Sequence, residues 1–420
     1  MAPAKRKKTK GPELDIIEGG QGLMETAMSD VPLHPKTYSR DLPVSGAWFP
    51  GDPVGHRKFV AITDGRPFAL EPGETLPEVI QAYETWGKLN SDASNAILIC
   101  HALTGDSHVS GDSSTSHPTR GWWDEIVGPA KVVDTNEFFV VCINVLGGCQ
   151  GSTGPASLNP STGRPYGSKF PNITIRDIVR AQAKVADHLG IGVWHAIIGG
   201  SMGGMQVLEW AAMFPERVPR IAAVATALSA SAQQIAWSAV GRAALALDPR
   251  WREGDYYDAE PGNGPHAGLA IARAIAQIHY RSDESFQSRF ERTLVDKDSL
   301  FGLWDRFQVE SYLDYHGEKL VRRFDANSYL VLNRAMDTHD LARGRGSMLD
   351  AISRVKARVA TASITTDILY PPHQQIKIQQ MVETVGGECS YVEIDDNNGH
   401  DGFLLATKEI GEVFSGILSD

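Results

Sequence analysis

The chain has 420 residues, of which 42% are hydrophobic, and its formal net charge is −11. This apolar content is enough to build a sizeable core and excludes a globally disordered chain, and the length suits one elaborated α/β domain. The excess of 51 acidic over 40 basic residues provides no general basic surface, so we expect no nucleic-acid partner.

Cysteine use and hydropathy narrow the class of protein further. The four cysteines are too few and too scattered for a disulfide framework or a zinc ribbon, so we expect reduced thiols and no metal site. No apolar run reaches the length of a membrane span, and the opening MAPAKRKKTK lacks the apolar centre of a signal peptide. We therefore expect a cytoplasmic protein without a membrane partner.

Residues 1–42 are expected to form a disordered, solvated basic tail. Short runs of lysine and arginine such as residues 5–10 also occur in targeting and nucleic-acid-binding segments, but they match those patterns easily by chance. Ordered structure is expected to begin near residue 43.

Apolar runs bounded by turn residues predict the strands of a largely parallel sheet. Two of them, AILIC and FFVVCINV, are continuously apolar, which is typical of strands buried on both faces. The predicted strands are Phe59–Thr63, Val79–Glu84, Ala96–Cys100, Phe138–Val145, Val193–Ile198, Ile221–Ala227, Arg358–Ile364 and Cys389–Ile394.

Helical patterns separate these strands. A helix capped by Thr174 is predicted up to Gly190, and another over Gly204–Phe214, so strand and helix alternate as in a parallel sheet with right-handed crossovers. Between residues 229 and 354 only helical patterns occur, such as AQQIAWSAVGRAALAL, LAIARAIAQIHY and SYLVLNRAM. We therefore predict a catalytic core over 43–228 and 355–420, interrupted by a helical lid over 229–354.

The sequence GGSMGG at residues 199–204 predicts a nucleophile at Ser201. It matches the G-x-S-x-G elbow and lies between a predicted strand and a predicted helix, which is the context that this motif requires. A glycine-rich phosphate loop is the alternative, but no Lys-Ser or Lys-Thr pair follows and the dinucleotide glycine spacing is absent.

A serine nucleophile needs an imidazole base and an orienting acid. In this kind of fold the acid and then the histidine follow the serine along the chain, which favours Asp367 after one late strand and His400 after the next. Asp395 and Asp396 share a loop with His400 and are poorly placed to reach its ring. Among the other histidines, His373 falls on a predicted helix start, and His101 and His108 flank another loop.

The oxyanion of acyl transfer needs two backbone N–H donors. We predict that Met202, directly after the nucleophile, supplies one. The loop HALTG after the strand Ala96–Cys100 should supply the other, with Leu103 as the candidate.

Several longer motifs together resemble one enzyme family. AYETWGKLN, HALTGDSHV, VLGGCQGSTGP, GGSMGGMQVLEW, TDILYPP and NNGHDGFL occur in order from residue 82 to residue 404. In this combination the chain resembles the homoserine O-acetyltransferases of the α/β-hydrolase superfamily, from about residue 43 to its end. It departs from the family in its long tail and in reading TDILYPP where Ser-Asp is commoner.

The resemblance implies a homodimeric enzyme of methionine biosynthesis with a helical lid. Such an enzyme moves an acetyl group from acetyl-CoA to L-homoserine by a ping-pong route through an acyl-serine, without a metal or prosthetic group. It also implies that Arg273 binds the acceptor carboxylate, that Asp401 binds the acceptor ammonium, and that Tyr280 lines the site. From the residues alone, Arg273 would be a solvated helix position and Tyr280 a core aromatic.

Three alternative functions stay open at this stage. The same chemistry could use succinyl-CoA as donor or L-serine as acceptor, since few substitutions separate these activities. The sequences HALTGDSHV and GWWDEIVGP look more like those of the family members that use acetyl-CoA. A plain esterase on the same fold, or a binding protein without catalysis, is a less favoured interpretation.

Overall fold

The structure is a computed structural model and describes residues 42–298 and 300–419. The predicted tail lies outside the described residues except for Leu42, which is buried. None of the helices within these described ranges is long and apolar enough to cross a membrane.

A twisted sheet of eight strands forms the centre of the molecule. Its spatial order is β1-β2-β4-β3-β5-β6-β7-β8; β1 and β2 at one edge run antiparallel to their neighbours, and the other strands are parallel. The strands are β1 Lys58–Ala61, β2 Ile80–Trp86, β3 Ala96–Cys100, β4 Phe139–Ile143, β5 Ala196–Gly200, β6 Arg220–Val224, β7 Arg358–Ile364 and β8 Cys389–Ile394. Short paired strands lie outside it, at Phe68–Ala69 with Thr75–Leu76, Val127–Gly128 with Val133–Asp134, and Leu158–Asn159 with Arg164–Pro165.

Helices cover both faces of this sheet, as the continuously apolar strands require. Every residue of β3 and β5 is buried. The helices are α1 Ile175–His188, α2 Met202–Met213, α3 Ala232–Ala246, α4 His266–Tyr280, α5 Asp283–Phe290, α6 Gln308–Val321, α7 Ala326–Asp337, α8 Met348–Ile352, α9 Pro372–Thr384, α10 Gly402–Leu405 and α11 Thr407–Leu418. Four 3-10 turns add Gly167–Lys169, Pro215–Arg217, Pro249–Gly254 and Gly399–Asp401.

Helix α1 begins where the sequence predicts. The Thr174 side chain accepts from the Asp177 amide and the Asp177 carboxylate accepts from the Thr174 amide, which is a complete capping box. Two N–H groups that a helix start leaves unpaired are satisfied in this way.

Helices α3 to α8 all lie between β6 and β7 in the chain, in the segment where only helical patterns occur. Helix α4 packs against both α3 and α6. Within the described part of this segment, strand-like pairing is limited to two isolated bridges, Ser229 with Asp340 and Leu294 with Phe307. Helices α5, α6 and α8 are additions to the three helical patterns of the sequence.

A buried ion-pair cluster links α1, α2 and the segment before α8. Glu209 on α2 is 1% exposed; it accepts from Arg176 Nε at 3.0 Å and from Arg345 Nη2 at 2.6 Å. Arg176 also donates to Glu71, which Arg343 contacts as well. The segment before α8 is thereby fastened to the catalytic core.

Most strand bounds agree with the sequence pattern, but those next to the nucleophile are shifted. The strand expected over Val193–Ile198 is β5, Ala196–Gly200, and the helix expected from Gly204 begins at Met202. The apolar pattern stops at Ile198 because the glycines that follow carry no side chain, yet their backbone continues the strand to the turn.

Candidate active site

Ser201 lies in a sharp turn between β5 and α2. Its backbone has φ 58° and ψ −126°, a conformation that a non-glycine residue adopts only under constraint. A Cβ atom at Gly199 would lie 2.8 Å from the Gly203 carbonyl carbon, so the turn closes only because this position is glycine. The predicted nucleophile elbow is therefore present in the structure.

The side chains of Ser201, His400 and Asp367 form one chain of hydrogen bonds, which we call the catalytic line. His400 Nε2 lies 2.9 Å from Ser201 Oγ, and His400 Nδ1 lies 2.7 Å from Asp367 Oδ2. Asp367 follows β7, and His400 lies in the 3-10 turn after β8, at the same edge of the sheet as the elbow. All three are buried, at 5%, 3% and 2% exposed respectively.

The surroundings of this line fix its geometry. The second oxygen of Asp367 accepts from the amides of Leu369 at 2.8 Å and Tyr370 at 2.9 Å. The rings of Tyr370 and Phe403 flank the His400 ring, with centroids 5.2 and 5.1 Å away. Sequence reasoning singled out neither aromatic residue, although both lie within motifs that it quoted.

The rival acids and histidines lie elsewhere. Asp395 faces Thr365, and Asp396 accepts from the Asn398 amide. His101 Nε2 accepts from the Val145 amide at 3.1 Å, which gives this ring a structural role. His373 lies in the first turn of α9, as its predicted position on a helix start implies.

The two predicted oxyanion donors follow the neighbouring strands β3 and β5. Met202 is the first residue of α2, where a helical N–H has no acceptor within the helix. Leu103 is buried in the loop after β3, and its amide donates to no backbone acceptor among the described residues. The loop is held in place by Gln206 on α2, which donates to the His101 carbonyl at 3.1 Å.

Arg273 and Tyr280 face the site from α4. The Arg273 guanidinium lies over the Tyr280 ring, 5.3 Å from its centroid, and Nη1 lies 3.4 Å from Thr104 Oγ1 on the Leu103 loop. The Tyr280 ring lies 5.7 Å from that of His400. With the Gln277 amide assigned so that its oxygen faces Arg273, it accepts from Nη2 at 2.8 Å. Residues seven apart on this helix therefore converge on the catalytic line.

Asp401 is already paired in the structure. Its Oδ2 lies 3.2 Å from Arg281 Nε, an ion pair that the sequence did not reveal because Arg281 comes from the helical segment. The Asp401 carboxylate is 15% exposed and follows His400 directly.

Several cations lie around the site on the helical segment. Arg323 donates to the Thr104 carbonyl at 2.7 Å. Burial, together with the charges of Arg323 and Arg273, lowers the pKa of Lys319, and burial with Arg273 and Lys319 nearby lowers the pKa of His316 to about 3. His316 therefore adds no positive charge near pH 7, whereas the charges of Arg273, Arg323 and Lys319 suit anionic substrates.

Comparison with known proteins agrees with this geometry. Residues 95–407 match the α/β hydrolase fold family. A homoserine O-acetyltransferase of Thermobifida fusca is 51% identical over 379 residues, which is 90% of this chain and 98% of that protein. The chain belongs to the homoserine O-acetyltransferase family.

Solved structures place the same fold in two kinds of enzyme. The homoserine O-acetyltransferase of Bacillus anthracis aligns with a TM-score of 0.80 at 28% identity, covering 87% of this chain and 98% of that one. Esterase E22 aligns with a TM-score of 0.78 at 27% identity, covering 86% of this chain and 100% of that one. The fold alone therefore leaves the choice between transfer and hydrolysis to the site.

Proposed function

We propose that the protein transfers an acetyl group from acetyl-CoA to the side-chain hydroxyl of L-homoserine, giving CoA and O-acetyl-L-homoserine in methionine biosynthesis. The observation that carries this proposal is the line from Ser201 through His400 to Asp367, in a chain about half identical to homoserine O-acetyltransferases.

In the first half-reaction, His400 Nε2 takes the proton of Ser201 Oγ as this oxygen attacks the thioester carbon. The carbonyl oxygen becomes an oxyanion, which the amides of Leu103 and Met202 stabilise; one such donor is worth about 10²–10³ in rate. Collapse breaks the C–S bond, and the proton on His400 passes to the CoA sulfur. The acetyl-serine ester remains.

In the second half-reaction, L-homoserine enters as acceptor. Arg273 binds its carboxylate, Asp401 binds its ammonium and Tyr280 lines the site. Asp401 then exchanges part of its contact with Arg281 for the ligand. His400 takes the proton of the homoserine hydroxyl, whose oxygen attacks the acetyl carbon, and returns a proton to Ser201 as the ester breaks.

Transfer must compete with hydrolysis by water, which is the reaction of the esterase neighbours. A correctly held acceptor reaches an effective molarity of about 10⁵ M or more, and helices over the site limit the entry of water. The presence of Arg273, paired with Tyr280 and aimed at the site, favours the transferase. An esterase of small acyl esters is the second candidate, supported by the likeness to esterase E22.

We further propose, from the likeness of the chain to this family, that the protein works in the cytoplasm as a homodimer, with acetyl-CoA as co-substrate and no prosthetic group in the chemistry. In this proposal the lid spans residues 229–354, and the catalytic core spans 43–228 and 355–420.

One experiment tests the proposed reaction. The protein is mixed with acetyl-CoA or succinyl-CoA and with L-homoserine or L-serine, and the products are identified by mass. We expect O-acetyl-L-homoserine in the first combination and much slower transfer in the others. Release of CoA and acetate at a rate independent of added homoserine would instead assign the esterase activity.

A further inference from the structure

Three side chains that the mechanism does not use meet in the interior beneath the Leu103 loop. Glu84 comes from β2, while His108 and His117 come from the segment that follows the Leu103 loop. All three are buried, at 0%, 2% and 3% exposed. One oxygen or nitrogen atom from each lies within 4.8 Å of the other two.

The His108 ring faces oxygen atoms on both sides. Its Nδ1 lies 3.0 Å from Glu84 Oε2, and its Nε2 lies 3.3 Å from the Asp112 carbonyl oxygen. A neutral imidazole has only one N–H, so one of these contacts would join two acceptors. Either the ring is doubly protonated or a cation lies between Nδ1 and the carboxylate.

His117 provides an independent indication of a ligand. Its Nε2 lies 3.6 Å from Glu84 Oε1 and has no hydrogen-bond partner among the described residues, although its side chain is only 2% exposed. Buried polar atoms normally have a partner, because an unpaired one costs free energy.

We propose that Glu84, His108 and His117 bind a divalent transition-metal ion, with Zn²⁺ as the natural probe. Two imidazoles and a carboxylate form a ligand set that such ions take. Metal–ligand bonds of 2.0–2.2 Å in a tetrahedron separate the ligand atoms by about 3.4 Å. The separation of His108 Nδ1 from Glu84 Oε2 is 3.0 Å and that of His117 Nε2 from Glu84 Oε1 is 3.6 Å, on either side of that value.

The second contact of His108 also suits a metal ligand. Imidazoles that bind metals usually donate their other N–H to a carbonyl or carboxylate, and His108 Nε2 faces the Asp112 carbonyl in this way. The rings of His108 and His117 are stacked, with centroids 3.9 Å apart and planes at 10°. In this arrangement the two in-plane lone pairs do not converge on one point, so a bound ion requires the rings to tilt apart.

The charge balance favours a cation at this point. Within residues 42–298 and 300–419, no lysine or arginine forms an ion pair with Glu84 at up to 4.0 Å. The buried Arg57 nearby donates instead to Gln150 and to the Ser116 carbonyl. The direct side-chain neighbours of the Glu84 carboxylate are His108, His117 and the Ser107 hydroxyl. A bound ion therefore neutralises its negative charge.

The site would act on the structure, not on the acyl transfer. Glu84 Oε1 also accepts from Ser107 Oγ at 2.7 Å, and the Ser107 amide donates to Asn144 Oδ1 at 2.8 Å. The ion thus fastens β2 to the end of the loop that carries Leu103. This departs from the sequence-based expectation of no metal, because the ligands lie far apart and follow no metal-binding motif.

The test measures binding without acetyl transfer, so its outcome is independent of the proposed function. The full chain, with any affinity tag removed, is stripped with a chelator and titrated with Co²⁺, whose visible absorption reports coordination by protein ligands. We expect saturation at one ion per chain, displacement by Zn²⁺, and a higher Tm with either ion. A wild-type protein that shows no saturable absorption and no change in Tm would overturn the proposal and assign a doubly protonated His108.

Matched variants locate the ion. His117→Ala should weaken Zn²⁺ binding, measured against a chromogenic chelator, by more than about tenfold, since loss of even an outer contact costs that much. His188→Ala removes an exposed histidine on α1 and should leave the affinity unchanged. Equal affinity in wild type and His117→Ala, or an equal loss in both variants, would place the ion elsewhere and overturn the assignment.

Discussion

Asp367 presents its two carboxylate oxygens to opposite partners, one to His400 Nδ1 and the other to the backbone amides that follow it. In Asp367→Asn the amide oxygen stays with those backbone donors, so its NH₂ group faces His400. The ring then takes the tautomer with hydrogen on Nε2, which cannot accept the proton of Ser201. We expect kcat to fall by about 10⁴-fold with little change in fold. Steady-state CoA release measures kcat, and the unfolding midpoint measures the stability of the fold. A fall in kcat of less than tenfold would contradict the proposed role of Asp367.

Removal of the nucleophile separates the covalent route from direct transfer. In Ser201→Ala no acetyl-enzyme can form, and we expect CoA release to be abolished both with and without homoserine. Mass spectrometry of the wild-type protein mixed with acetyl-CoA alone should show one added acetyl group, which the variant lacks. A variant that retains a few per cent of the activity would contradict the acyl-serine route.

Arg273 should serve the acceptor and not the donor. In Arg273→Ala we expect the KM for homoserine to rise by at least about tenfold, because a charge-assisted hydrogen bond to the carboxylate is lost. The burst of CoA release before homoserine is added should stay close to wild type. Arg322→Ala, at an exposed position on the same helical segment, is the control. An unchanged KM in Arg273→Ala would remove this residue from the acceptor site.

We expect the buried ion-pair cluster around Glu209 to contribute to the free energy of unfolding. Glu209→Gln leaves Arg176 and Arg345 without their shared carboxylate in the interior. Breaking a buried pair in this way costs about 3–5 kcal/mol of unfolding free energy. Glu318→Gln breaks an exposed pair with Arg322 and should cost about 1 kcal/mol or less. Urea unfolding of both variants tests the difference, and equal losses would contradict it.

His339 should make stability depend on pH. Burial lowers its pKa from 6.5 to about 3, so in this window the unfolded chain binds a proton that the folded chain does not. Its stabilising contribution is therefore complete above pH 6.5 and is lost as the pH falls towards 3. His339→Gln, which can still donate to the Ala227 carbonyl, should reduce the slope of unfolding free energy between pH 6 and 4 by up to about 1.4 kcal/mol per unit. Urea unfolding across this range measures it; an unchanged slope would contradict the prediction.

The strands and the catalytic line were predictable because each produces a recognisable pattern over a few neighbouring residues of the sequence. A continuous apolar run predicted Ala96–Cys100, and a less regular apolar pattern predicted Cys389–Ile394, both with the bounds found in the structure. The glycines around Ser201 indicated the turn. Contacts between side chains that are far apart in the sequence produce no such pattern. The contact of Arg281 with Asp401 and the meeting of Glu84 with two histidines depend on how distant segments pack. Helix α6 was missed since charged and polar residues obscure its apolar face.

The helical segment between β6 and β7 and the loops at the sheet edge contribute different residues to the site. In the proposed reaction, proton transfer and the covalent step use residues in loops at the sheet edge, whereas the arginine proposed to bind the acceptor carboxylate lies on helix α4 of the inserted segment. On this proposal, substitutions within one continuous stretch of the gene can change the acceptor while the catalytic loops keep their sequence, and an acetyltransferase and an esterase share this scaffold.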